Sequence, residues 1–205
     1  MQEFFCPQSN KEGMIYTDSF VYMPELNTPR LLLRRLTMRD AADIYHYSRD
    51  TEVARHVLWD AHRSISDSRA YLRYMLRRYR NHEPASWGIE WRETGQIIGT
   101  IGFMWIQSDN NAAEVGYSLA RSFWNHGVMT EALKAVIGHG FLSMNLNRIE
   151  AQHETTNPAS GAVMRKCGMV REGTLRQRLY NKGRYVDVEL YAILRRDYGN
   201  QAQRG

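Results

Sequence analysis

Apolar residues along this chain fall into short runs bounded by turn residues and into longer stretches of helical period, and the switches between them mark out its elements. The short runs predict strands at residues 31–34, 87–92, 96–106, 114–119, 148–153, 170–180 and 185–194. Thr94-Gly95 and Asn181-Lys182-Gly183 carry turn chemistry and close two of these gaps into hairpins. A period near 3.6 predicts helices from the N-cap Thr37 past Asp40 to about residue 48, over residues 66–81, and over residues 130–144. In the last of these, Leu133, Val136, Ile137, Phe141 and Met144 form the buried stripe. Asn157-Pro158 opens a further helix, with asparagine as cap and proline where a missing N–H costs nothing. Residues 1–27 show no sustained period and contain Gly13 and Pro24, which predicts an N-terminal extension with a short strand near residues 19–23. One domain is expected over residues 28–198, followed by a tail at 199–205.

The helix over residues 66–81 has an apolar stripe of Tyr71, Leu72, Met75, Leu76 and Tyr79, with Arg69, Arg73, Arg77 and Arg80 along its other side. Like charges at this spacing cost a few tenths of a kcal/mol per pair. Such a face is ordinarily solvated; the alternative is docking to an acidic partner.

Composition narrows the class. A chain of 205 residues with 43% hydrophobic content builds one sizeable core. Cys6 and Cys167 form no metal-type pair, and no apolar run reaches a membrane span of roughly 18 residues, so a cytoplasmic protein is expected. The net charge of +5 favours acidic ligands and would equally suit RNA or a ribosomal surface. Seven histidines occur without H-E-x-x-H or clustered cysteines, so no metal site is expected.

Gly116-Tyr117-Ser118-Leu119 followed by Phe123-Trp124-Asn125-His126-Gly127-Val128-Met129-Thr130-Glu131 reads as a strand, a glycine loop and a helix start. Such a loop aims unpaired backbone N–H groups at one point, where the helix dipole also favours negative charge: a phosphate cradle. Neither G-x-x-x-x-G-K-[ST] nor G-x-G-x-x-G is present, which argues against a triphosphate loop and a dinucleotide fold.

This segment resembles the pyrophosphate loop of the GNAT superfamily of acetyl-CoA-dependent N-acetyltransferases. Trp124 stands at its Gln/Arg position, Gly127 at its glycine and Met129 at its last small residue. The longer string Trp-x-x-Gly-x-x-Thr-Glu-Ala is similar to that of the ribosomal-protein N-terminal (alanine/serine) acetyltransferase branch. Three further blocks resemble the same branch in the same order: Thr28 to Arg34 with Asp40 and Asp50-Thr51-Glu52-Val53; Asn157-Pro158-Ala159-Ser160 with Lys166-Cys167-Gly168-Met169; and Glu172 to Arg176 with Gly183 to Tyr191.

The resemblance implies an α/β GNAT fold: a mixed, mostly antiparallel seven-stranded sheet with about four flanking helices, its fourth and fifth strands parting at one end. Pantetheine would pair there as an added strand, between residues 116–119 and 152–156. Acetyl-CoA is the implied co-substrate, held by Tyr117, Ser118, Leu119, residues Trp124 to Thr130, Asn157, Ser160 and Lys166. His126 lies inside the cradle, where it could touch phosphate or face solvent.

Transfer to an amine needs a neutral nucleophile, oxyanion donors and a proton for the departing thiolate. Many GNAT enzymes take that proton from a tyrosine seven residues after the helix-capping asparagine. Counting from Asn157 lands on Met164, which cannot donate. In the branch resembled here the serine of N-x-x-S has that role, and Ser160 occupies it; its hydroxyl could also only satisfy the helix terminus. For the general base the candidates are Glu114, which could act through water, and Glu154, with His153 beside it at the strand's lip, or no dedicated base at all. Trp59, Trp105, Tyr180 and Tyr185 fall where this fold borders its acceptor groove, as substrate contacts or as rim packing.

Three functions remain open on these residues. They are acetylation of a protein N-terminal amine, ribosomal or other; acetylation of a small amine such as a polyamine, amino acid or aminoglycoside; and non-catalytic acetyl-CoA or RNA binding. No membrane association is expected, and a monomer or a homodimer would serve.

Overall fold

The computed structural model describes residues 23–202. Eight strands form one sheet: β1 (Leu26–Asn27), β2 (Leu31–Arg35), β3 (Ser86–Trp91), β4 (Gln96–Gln107), β5 (Ala112–Leu119), β6 (Arg148–Glu154), β7 (Val170–Asn181) and β8 (Arg184–Leu194). Six α-helices accompany it: α1 (Ala41–Ser48), α2 (Thr51–Ala54), α3 (Ile65–Arg80), α4 (Val128–Leu142), α5 (Pro158–Lys166) and α6 (Arg195–Ala202). The strand order is β1-β2-β3-β4-β5-β6-β8-β7.

The sheet therefore has eight strands rather than the seven expected. The additional one, β1, is two residues long and pairs Leu26 with Leu33, too short to show alternation. The helices number six rather than about four because α2, a single turn capped by Asp50, and α6 also form. Of the strand expected near residues 19–23, only Met23 lies within the described residues, where it is buried without strand structure.

The local chemistry explains the boundaries. Thr37 and Asp40 form a reciprocal capping box before α1, and Ser64 and Asp67 do the same for α3. Lys182 and Gly183 both have positive φ, 48° and 82°, which the two-residue β7–β8 turn requires. In α3, Leu72, Met75 and Tyr79 are buried while Arg69, Arg73, Arg77 and Arg80 are exposed. The Tyr79 hydroxyl donates to the Ser86 carbonyl at 2.5 Å and accepts from the Leu36 N–H at 3.1 Å, tying α3 to the sheet.

Strand alternation separates two faces. Trp87 packs edge-on against Phe103 and against His139 of α4, so this face backs onto α4 and α5. On the other face Tyr47 of α1 is buried beside Thr100 and Ser118, and that burial raises its pKa. All strand pairs are antiparallel except β5–β6, whose parallel pairing consists of Ala112 with Arg148, Ala113 with Ile149 and Glu114 with Glu150. Beyond Glu114 the two strands diverge, and the central sheet opens.

Candidate active site

The loop between β5 and α4 is built around two left-handed residues, Asn125 at φ 62° and Gly127 at φ 73°. Asparagine is among the few side-chain-bearing residues that adopt this region readily, and glycine does so without penalty. Gly127 is the N-cap of α4, and the first intrahelical bond runs from Glu131 N–H to the Gly127 carbonyl at 3.0 Å. The N–H groups of Val128, Met129 and Thr130 thus have no intrahelical acceptor and are available to an anion. The helix begins two residues before the expected Thr130.

Side chains of this segment divide sharply. Val128 and Met129 are buried, so each offers only backbone; His126 is exposed. The Trp124 indole donates to the Leu119 carbonyl at 2.8 Å, pinning the loop to the end of β5. Arg30, from the turn before β2, donates to the His126 carbonyl at 3.0 Å and to Glu131 Oε2 at 2.7 Å. Thr28 Oγ1 and the Arg30 N–H both donate to Glu131 Oε1, at 2.6 and 2.9 Å. Burial pushes the Glu131 pKa up, but these hydrogen bonds outweigh it and hold the carboxyl below its usual range. Arg30 is a supporting residue that reading the cradle by itself missed; both halves of the contact are polar residues in separate motif blocks.

The opening between β5 and β6 lies beside this cradle. On the face toward α5, Tyr117 reaches across to Ser160: its hydroxyl oxygen is 2.8 Å from Ser160 Oγ and 3.2 Å from the Ser160 carbonyl. Asn157 caps α5 by accepting from the Ser160 N–H at 3.4 Å. Met164 is buried in the core. Leu119 is buried, and Ser118 Oγ lies 3.2 Å from Thr100 Oγ1 on the face opposite Tyr117. Lys166 is exposed in the last turn of α5, at the helix end opposite Asn157 and Ser160.

Glu114 occupies the other face. A bulge in β4 between Phe103 and Trp105 turns the Trp105 indole onto it, donating to Oε2 at 2.8 Å, while Gln152 of β6 donates to Oε1 at 3.0 Å. Glu154 is farther along β6 and only 3% exposed. Asn181 donates to its Oε1 at 2.5 Å, and His56 Nδ1 and Thr156 Oγ1 lie 3.1 and 3.3 Å from its Oε2. Lys182 donates to the carbonyls of Val57 and Trp59, at 2.6 and 3.2 Å, so the β7–β8 turn clasps the loop carrying Trp59.

Tyr180 and Tyr185 pair across the hairpin with ring centroids 5.0 Å apart and are 63% and 66% exposed. Their strand neighbours Asn181 and Arg184 both reach Glu154, so alternation turns the tyrosines to the opposite face. The geometry brings Trp105, Glu114 and Gln152 together and sets the tyrosine pair apart from them.

The acetyltransferase (GNAT) domain family matches residues 30–170, which contain the cradle, the opening and Ser160. The chain belongs to the GNAT acetyltransferase family. It is 35% identical over 176 residues to a protein of Bacillus licheniformis described as uncharacterized N-acetyltransferase p20, covering 86% of this chain and 99% of that protein. It is 37% identical over 97 residues to the ribosomal-protein-serine acetyltransferase of Escherichia coli, covering 47% of this chain and 54% of that protein. The crystal structure of a GNAT-family acetyltransferase from Bacillus anthracis superposes with a TM-score of 0.75 at 25% identity, over 84% of this chain and 99% of that one.

In this GNAT enzyme no cluster of three metal-ligating side chains occurs, and no helix is long and apolar enough to cross a membrane, among the described residues. Cys167 is buried, donates to the Thr130 carbonyl at 3.5 Å, and burial pushes its thiol up to about 12.

Glu154 makes a prediction about stability. Burial pushes its pKa up, yet hydrogen bonds from Asn181, His56 and Thr156 outweigh that and lower it overall. A depressed folded-state pKa means that the stabilisation is complete above the unfolded value of about 4.3 and is lost as pH falls through the folded one. Glu154→Gln should therefore lower stability by about 1–3 kcal/mol at pH 7, because an amide offers one acceptor where the carboxylate offers two. The gap from wild type should narrow as pH falls below about 4. Urea melts at the two pH values check this; a constant gap would contradict it.

Proposed function

We propose that this enzyme transfers the acetyl group of acetyl-CoA to the N-terminal α-amine of a ribosomal or other protein. The cradle at Asn125 to Thr130 receives the pyrophosphate, the unpaired edges of β5 and β6 receive the pantetheine, and the thioester lies at the opening beside Ser160. The amine enters from the face of Trp105 and Glu114. Ser160 supplies the proton that the departing thiolate takes up.

The observation that carries the acceptor class is the state of the carboxylates. Both oxygens of Glu114 already accept hydrogen bonds from Trp105 and Gln152, and Glu154 is enclosed by Asn181, His56 and Thr156. An α-amine, with a pKa near 8, is about one-tenth neutral at pH 7 and needs little help, whereas an alkyl ammonium near 10.4 is far below 1% neutral. Acidic residues that could pair with a polyamine are also engaged: Asp187 accepts the Gln177 N–H at 2.7 Å and Glu189 is paired with Arg171. The likeness to the E. coli ribosomal-protein-serine acetyltransferase supports the same reading.

The pH profile tests it. With peptides beginning Ser, Ala or Met, the rate should rise with pH and level off near pH 8, and Glu114→Gln should cost no more than about tenfold. A polyamine or lysine-like acceptor would instead give a rate still climbing past about pH 9.5, with Glu114→Gln costing about 100-fold or more. That second pattern, with the peptides inactive, would assign the enzyme to small amines.

A further inference from the structure

Ser160 has a partner that no local motif announces. Tyr117 lies on β5 beyond the last residue paired with β6, and therefore in the wall of the opening. Its position is fixed from behind by the antiparallel pairing of Tyr117 with Ile101. From there its hydroxyl comes within 2.8 Å of Ser160 Oγ, across 43 residues of sequence. The helix position where many of these enzymes carry a tyrosine is held by Met164, which has no proton to give. A phenol thus reaches the start of α5 from the sheet instead of from the helix.

We propose that Tyr117 is a positioning residue for acetyl transfer: its hydroxyl donates to Ser160 Oγ and leaves the serine's own O–H directed at the departing sulfur. This rests on the reading of Ser160 as the acid. The phenol has one hydrogen and two acceptors in reach, the Ser160 carbonyl at 3.2 Å and Oγ at 2.8 Å. Oγ is the nearer, at the usual O–H···O distance, and with the tyrosine hydrogen spent on it the serine hydrogen is free. Burial raises the Tyr117 pKa above its usual range, with the Ser160 bond opposing that, so the phenol remains a donor across the pH range in which amines react.

The step balances. As the C–S bond of the tetrahedral adduct breaks, its electron pair goes to sulfur, the Ser160 O–H bond breaks and an S–H bond forms. Tyr117 keeps its proton and stabilises the charge developing on Oγ. The serine recovers a proton from the nitrogen that attacked, which leaves a neutral amide.

The test measures thiol release from acetyl-CoA with a pool of Ser-, Ala- and Met-initiated peptides and spermidine as acceptors. Tyr117→Phe should lower turnover about 10- to 100-fold, the range for a hydrogen bond to a charged group, while the KM for acetyl-CoA changes by less than about twofold. In a Ser160→Ala background the same substitution should have no further effect on turnover. With the selenoester of coenzyme A, whose leaving group departs without needing a proton, the Tyr117→Phe loss should shrink towards none. 3-Fluorotyrosine at position 117 keeps the hydroxyl in place and should restore turnover, which separates the effect from any folding defect. Equal losses with the thioester and the selenoester, or losses that multiply in the double variant, would overturn the proposal. If Ser160→Ala retains full turnover, the acid reading fails and this inference fails with it; if only Tyr117→Phe is silent, the acid reading stands and this inference alone is lost.

Discussion

Gly127→Asp is expected to weaken coenzyme A binding about 100-fold while leaving the fold intact. A carboxylate about 5 Å from a pyrophosphate charge, at an effective dielectric constant of about 20, opposes binding by roughly 3 kcal/mol, which corresponds to about two orders of magnitude in affinity. The substitution also replaces the residue best suited to φ 73° at the N-cap of α4. Space is not the obstacle, because the nearest atom to a Cβ built at this position is an Arg30 guanidinium nitrogen 3.8 Å away. A left-handed non-glycine residue costs roughly 1–2 kcal/mol of stability, which a folded domain tolerates. Gly127→Ala separates the two effects, since it carries the backbone cost without the charge and should bind far better than the aspartate. Calorimetry with coenzyme A measures both, and unchanged affinity in Gly127→Asp would reject the cradle.

Ser160→Ala should lower turnover by about 100-fold or more, the lower end of the range for loss of a general acid, with a much smaller change in the KM for acetyl-CoA. The asymmetry follows from when the interaction matters. A proton offered to sulfur is worth little to the intact thioester and much to the developing thiolate, so its removal falls on the transition state. The helix terminus should survive, because Asn157 and not the Ser160 hydroxyl accepts the Ser160 N–H. Full turnover in Ser160→Ala, measured in a single-turnover regime where chemistry limits the rate, would exclude the acid role.

How much of this was legible in the chain depended on the range of the interaction. Every strand of five residues or more was located from its run of apolar, β-branched and aromatic residues between turn signals. The Asn157-Pro158 helix start and the Lys182-Gly183 turn were equally plain, since caps and tight turns are set by residues a few positions apart. β1 escaped, because two residues carry no period and pair only when β2 is already in place.

The site divides in the same way. The sequence by itself determined the loop around Gly127, the cap at Asn157 and the presence of Ser160, Glu114 and Glu154 near strand or helix ends. Only the tertiary structure decided what those groups face: Tyr117 against Ser160, Arg30 between His126 and Glu131, Trp105 and Gln152 on Glu114, and Asn181 with His56 on Glu154. These contacts span from 9 residues, for Trp105 with Glu114, to 101, for Arg30 with Glu131. They are hydrogen bonds made by side chains whose direction is set by strand register, by a bulge and by the divergence of β5 from β6. No pattern within a single element encodes such a direction, because it comes into being only when the strands have chosen their neighbours.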